Sequence, residues 1–211
     1  MTATELKHLS EPDPEAHSLV RSGRGVFRSP DFLRTEKKLT GAEKGVATHT
    51  LLQYIDYAKA ESADGIREEI ERLVLSKHLS PRQAEAVETD AIEKLFSSEL
   101  GRRILNADRI VREFKFSMLC PAESFFAGGE GESVLLQGVI DCCIEENGEL
   151  TVIDYKTDRV SGEALSERAE SYESQVRAYA MAVRRMTGKP VKECVLYFLH
   201  TGQAVRVAPQ S

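Results

Sequence analysis

The stretch GVIDCCIEENGELTVIDYKTD, residues 138–158, constrains the fold more than any other part of the chain. Two apolar, β-branched runs flank Asn147-Gly148, a pair that favours a two-residue hairpin turn because both positions accept a positive φ. A turn there sets the residues of the two strands opposite one another in mirror order. Glu146 then faces Glu149, Ile144 faces Thr151, and Asp141 faces Asp154. Like charges in facing positions destabilise a sheet, so the two aspartates call for something cationic between them. Lys156, two residues beyond Asp154, shares its face. The opposite face takes Ile140, Cys142, Ile153 and Tyr155 and reads as the core side. Two readings follow: a site for a hard divalent cation, which accepts carboxylates, water and phosphate oxygens as ligands, or a surface cluster of ion pairs.

The rest of the chain supplies elements for this hairpin to pack against. Thr40-Gly-Ala-Glu43 has the capping-box pattern and predicts a helix to about residue 59, followed by a second over about 64–78. Ser80-Pro-Arg-Gln83 opens another, with proline at its first position, running to about residue 97, and a short helix follows near 98–106. Strands are expected near 110–119, 133–145 and 149–156. A long helix covers about 163–187, stopped by Gly188 and Pro190, and two last strands lie near 193–200 and 203–208. Residues 1–38 read as a linker or lead-in and residues 39–211 as the domain; the first 30 residues mix Pro, Ser, Gly and charge without periodicity.

The 211 residues suffice for one sizeable core. No run approaches the roughly 18 apolar residues of a membrane span. The polar, acidic N-terminus lacks the regions of a signal peptide, so a cytoplasmic location is expected. A net charge of −6 argues against wholesale electrostatic binding of nucleic acid but is compatible with a local basic groove. The four cysteines have no C-x-x-C spacing. Adjacent Cys142 and Cys143 point to opposite faces of their strand, and all four read as reduced, buried small hydrophobes.

Three further places carry polar groups that could serve a site. Gln175 and Tyr179 stack four apart on the long helix, beside a stripe of Tyr172, Val176, Val183 and Met186. A buried amide there needs a partner, which a core contact also supplies. His49 lies in GVATHTLLQ, one helical turn after Gly45, and Glu113 lies in the strand segment VREFKF. Each has an ordinary structural reading on its own.

In order along the chain, LTGAEKGVATHTLLQ, VREFKF, the hairpin, SQVRAYAMAV and VKECVLYFLHTG resemble the RecB-like branch of the PD-(D/E)XK nucleases, and within it the nuclease domains of AddA-type helicase–nucleases. The resemblance runs from about Leu39 to Val207. It implies a restriction-endonuclease-like α/β core, a mixed β-sheet flanked by helices, with an N-terminal helical extension. It implies metal-dependent hydrolysis of DNA, exonucleolytic on single strands, in double-strand break repair and recombination.

By the same resemblance Asp141, Asp154 and Lys156 are the catalytic residues. His49, Asp141, Asp154 and the main-chain carbonyl of Tyr155 hold Mg2+ or Mn2+, and Glu113, Gln175 and Tyr179 support the site or substrate. The implied partners are single-stranded DNA, helicase domains of the same polypeptide and an AddB-like subunit. The chain itself has no G-x-x-x-x-G-K-[ST] motif for a motor and no cysteine quartet for an iron–sulfur cluster. A degenerate, non-catalytic DNA-holding or docking module is the alternative; the intact pair of acids with Lys156 speaks against it.

Overall fold

The computed structural model describes residues 39–124 and 131–209; the lead-in expected over 1–38 lies outside them. A five-stranded sheet runs in the order β1 (Arg109–Pro121), β2 (Ser133–Glu146), β3 (Glu149–Lys156), β4 (Val191–Phe198) and β5 (Gln203–Val207). All neighbours are antiparallel except β3 and β4. That parallel pair is joined by the crossover helix α6 (Glu163–Thr187), as parallel strands require. Asn147 and Gly148 both take positive φ, 54° and 82°. They fix the expected register, from Glu146 opposite Glu149 to Cys142 opposite Ile153.

Five helices precede the sheet: α1 (Gly41–Tyr54), α2 (Ala63–Leu75), α3 (Pro81–Ala86), α4 (Thr89–Ser97) and α5 (Glu99–Asn106). The capping boxes at Thr40 and Ser80 both form. The helix expected to run from Ser80 to about residue 97 is instead two. Val87 and Glu88 are extended between α3 and α4, and Val87 turns its side chain into the core. The first helix likewise ends at Tyr54, and a 3-10 turn at Tyr57–Lys59 follows it.

Two apolar layers hold the sheet between helices. On one face, Ala47, Leu51, Ile92, Leu95 and Ile104 of the N-terminal helices pack on Cys142, Ile144, Ile153, Tyr155 and Tyr197. On the other, Leu165, Tyr172, Val176, Tyr179 and Val183 of α6 pack on Ile140, Cys143, Val152, Leu196 and Phe198. Cys142 and Cys143 do point to opposite layers, and all four cysteines are free and buried. Met186, expected in the buried stripe of α6, is exposed in its last turn.

One strand pattern departs from simple alternation. Ile140 and Cys142 are two apart yet enter different layers, so the expectation that they share a face is corrected. Across from them Glu113 adopts φ 53°, unusual for a non-glycine residue. Arg112 pairs with Cys142 and Phe114 with Ile140, leaving Glu113 and Asp141 unpaired between them. Both strands change face at this point. Here β2 also parts from β3: beyond Cys142 it continues with β1 alone, while β3 continues with β4 as far as Lys156. The sheet forks where the two aspartates lie.

Candidate active site

The fork leaves polar backbone in want of partners, and Asp141 supplies one. The β2–β3 ladder ends at Cys142–Ile153, so Asp141 and Asp154 do not form the facing backbone pair expected of an unbroken hairpin. Instead the Asp141 carboxylate turns toward β3, where Oδ2 accepts the backbone N–H of Tyr155 at 2.8 Å. Its other oxygen lies 3.2 Å from Nδ1 of His49 on α1. Gly45, one turn earlier, makes this approach possible. A side chain there would bring its Cβ within 3.0 Å of Thr157 Oγ1, just past the end of β3.

Asp154 and Lys156 project to the α6 side of the sheet and are both buried. Lys156 Nζ lies 2.5 Å from Asp154 Oδ2 and donates to Gln175 Oε1 at 3.0 Å. Gln175 in turn donates from Nε2 to the Tyr179 hydroxyl at 2.8 Å. The amide is thus satisfied at both ends by the site rather than by the core. Gln175 and Tyr179 are themselves buried, and both support the lysine from behind. Tyr155 sends its ring into the opposite layer and meets the site through its backbone. Glu113 stands at the rim, half-buried, with Asp141 and His49 both close enough to act on its charge.

The charges feel one another. Burial raises the pKa of Asp154, the ammonium of Lys156 opposes this, and the charge of Asp141 adds to it. Burial pulls His49 down, but its bond to Asp141 and the charges of both aspartates outweigh that and hold it above the usual histidine value. Burial and the charge of Asp141 likewise raise Glu113. Acidic groups are therefore crowded here beyond what Lys156 and His49 offset.

Among the described residues no three His, Cys, Asp or Glu side chains are gathered as a ready-made metal cluster. Asp141 is engaged by His49 and Tyr155, and Asp154 by Lys156. The donor set nonetheless fits a hard divalent cation. Asp154 Oδ2 is buried without a hydrogen bond, the Lys156 ammonium being close but not aligned as a donor. Two carboxylates, an imidazole and a peptide carbonyl suit Mg2+ or Mn2+.

Two residues at the site have roles that the sequence reading did not assign. The Tyr172 ring on α6 lies beneath Lys156, with Nζ 3.6 Å from the ring centroid. The Tyr172 hydroxyl donates to Asp158 at 3.0 Å. A signal existed for each: Tyr172 stands one helical turn before Gln175, and Asp158 follows Lys156 by two.

A family model for the PD-(D/E)XK nuclease superfamily matches residues 21–210. The chain belongs to that superfamily. Its members generally use divalent metal ions, in keeping with the donor set around Asp154. Among curated relatives, the ATP-dependent helicase/nuclease AddA of Moorella thermoacetica is 35% identical over 98% of this chain and 15% of its own length. The proteins of the same name from Clostridium acetobutylicum and Bacillus cereus strain AH187 are 30% and 34% identical, again over 98% of this chain, covering 17% and 18% of theirs. The chain thus spans about a sixth of the length of these relatives. The PD-(D/E)XK core, a mixed sheet between helical layers, is the architecture described above, and no helix among the described residues is long and apolar enough to cross a membrane.

Proposed function

We propose that residues 39–211 form the nuclease domain of a helicase–nuclease and hydrolyse DNA phosphodiesters with the aid of Mg2+ or Mn2+. The substrate is single-stranded DNA, degraded exonucleolytically during double-strand break repair and recombination. The observation that carries this reading is the convergence of Asp141, Asp154, Lys156 and His49 at the fork of the sheet. The name shared by the relatives supports the helicase–nuclease context. The partners that go with this context are helicase domains of the same polypeptide and an AddB-like subunit. A cytoplasmic location goes with it too.

In this reading Asp141, Asp154, His49 and the Tyr155 carbonyl hold the ion. When bound, it polarises the scissile phosphate and lowers the pKa of a water ligand. Tyr155, by donating its N–H to Asp141 Oδ2, fixes one carboxylate in place before substrate arrives. Lys156 presents its ammonium to the non-bridging oxygens as negative charge gathers on them, and a fixed charge in a buried setting acts strongly there. The water oxygen bonds to phosphorus, the bond from phosphorus to the leaving sugar oxygen breaks, and that oxygen takes up a proton. Gln175 and Tyr179 keep the ammonium oriented through this change. Glu113, at the rim beside Asp141, supports the acids from outside.

The test is cleavage of end-labelled single-stranded DNA by the isolated chain with millimolar Mg2+ or Mn2+. Cleavage abolished by chelator and by Asp154→Ala is the expected result. Activity surviving both would rule out the metal mechanism. Folded protein that binds DNA but never cleaves it with either ion would favour a DNA-holding module.

A further inference from the structure

Lys156 has three close neighbours, and two of them, Asp154 and Gln175, already have a place in the proposed chemistry. The third is the face of Tyr172. Its centroid lies 3.6 Å from Nζ, well inside the range in which a ring quadrupole attracts an ammonium. The ring is itself held on several sides. Its hydroxyl donates to Asp158 Oδ2 at 3.0 Å, and Asp158 is clamped by Arg168 Nε at 2.7 Å. The Arg168 guanidinium carbon lies 5.1 Å from the same ring centroid. Asp158 follows Lys156 by two residues, just past the end of β3, so one short segment carries both the lysine and the anchor of the ring that supports it.

A lysine stem has four rotatable carbons and a mobile head. Asp154 and Gln175 give the head two oxygens to choose from, but neither stops it from swinging about the line between them. A ring face beside the head does. We propose that Tyr172 is a positioning residue: its ring, locked by the Asp158–Arg168 pair, confines the Lys156 ammonium to the place from which it meets the scissile phosphate. Tyr172 touches no reacting atom, and this inference rests on the reading of Lys156 as catalytic. The ring face is the working part; the hydroxyl serves only to orient it.

Two variants separate these parts. Tyr172→Phe keeps the face and loses the hydroxyl; Tyr172→Leu keeps apolar bulk and loses the face. Cleavage kinetics on single-stranded DNA should show kcat within about threefold of the native value for Y172F, and a fall on the order of tenfold or more for Y172L, with KM little changed in both. A loss confined to packing would lower the melting temperature, leave kcat per folded molecule alone and overturn the proposal.

The second measurement does not depend on activity. Proton–carbon spectra of lysine ε-methylene groups should show Lys156, assigned by its disappearance in Lys156→Arg, shifted upfield by the ring current. The shift should persist in Y172F and vanish in Y172L. An unshifted native Lys156 resonance, or a Y172L enzyme with native kcat, would overturn the proposal. Equal kcat losses in both variants would overturn the role given to the ring face. If the native chain cleaves nothing with either ion, the function reading fails, while the ring-current shift still decides whether Tyr172 holds the lysine.

Discussion

Tyr155 and Asp141 are joined by a single bond, from the Tyr155 backbone N–H to Asp141 Oδ2 at 2.8 Å, at the point where β2 parts from β3. The carboxylate takes the place of the next strand partner, and a backbone donor that would otherwise be orphaned stays satisfied. The first acid of the site is thereby also a structural cap on the fork. Asp141→Asn therefore keeps an acceptor oxygen for Tyr155 and should fold, with a melting temperature near the native one in chelator. Divalent ion should stabilise native protein by RT ln(1 + [L]/Kd) and the variant far less. Equal gains for both in paired melts would remove Asp141 from the ligand set.

Lys156 and a bound cation would compete for the same oxygen, Asp154 Oδ2. Lys156→Ala should cut turnover by about 100-fold or more, the scale of losing a fixed charge aimed at the transition state. Its affinity for Mn2+ should be equal to or tighter than native, because Asp154 is left without a partner. Calorimetric titration decides this: weaker ion binding in the variant would make the lysine a structural prop.

Gln175 links Lys156 to Tyr179 through two hydrogen bonds, so the two residues should behave as one unit. Gln175→Ala and Tyr179→Phe should each lower kcat, and the double variant should lose little more than Gln175→Ala alone. Additive losses in this cycle would show that Tyr179 acts independently of the amide.

Gly45 lets α1 lie against the end of β3, with 3.0 Å between a would-be Cβ and Thr157 Oγ1. Gly45→Ala gains helix propensity of about 1 kcal/mol against a contact that rotation of the Thr157 hydroxyl relieves, so its stability should stay within about 1 kcal/mol of native. Gly45→Leu should cost about 1–3 kcal/mol and, by lifting His49 from Asp141, lose activity at temperatures where it remains folded. Thermal melts with parallel cleavage assays distinguish the two effects.

Glu69 is a buried acid, 1% exposed on α2, whose place in the helical pattern does not set it apart from the exposed glutamates beside it. It accepts the Asp56 N–H at 2.9 Å and an Arg72 Nη2 hydrogen at 2.6 Å, with Lys59 Nζ 3.3 Å away. The bonds from Arg72, with that from Asp56, outweigh burial and lower its pKa to about 2. A carboxylate lowered from about 4.3 in the unfolded chain is protonated first when unfolded. Its contribution is complete above pH ~5 and is lost as pH falls toward ~2. Glu69→Gln should cost about 2–3 kcal/mol at pH ~7. Urea melts from about pH 5 to about pH 3 should show a shallower decline in the variant than in the native chain.

What was legible in the sequence was what local chemistry dictates. Asn147-Gly148 set the hairpin register, and the capping residues Thr40 and Ser80 marked true helix starts. The positions of Asp141, Asp154 and Lys156 followed from that register and strand parity, and the family resemblance added His49, Gln175 and Tyr179. Long-range packing was not legible. The change of face at Glu113 and Asp141 depends on a left-handed residue in a neighbouring strand, and no period-2 pattern encodes it. The break at Val87 answers the core's demand for an apolar side chain rather than any breaker in the sequence. Tyr172 read as one more member of a buried stripe, because a ring beneath a lysine and a ring in a core have the same helical spacing.

His49 and Asp141 stand 92 residues apart and meet across one face of the sheet, while Gln175 reaches Lys156 from the other. The order of synthesis then orders the assembly. The histidine emerges first, the acids and lysine with the hairpin, and the helix that steadies the lysine after them. A nascent chain paused at residue 158, or a fragment clipped there, holds every charged group of the site but not the helix that disciplines its cation. Competence to cut thus belongs to the finished fold alone, a safeguard for a protein whose uncontrolled activity would fall on its own cell's chromosome.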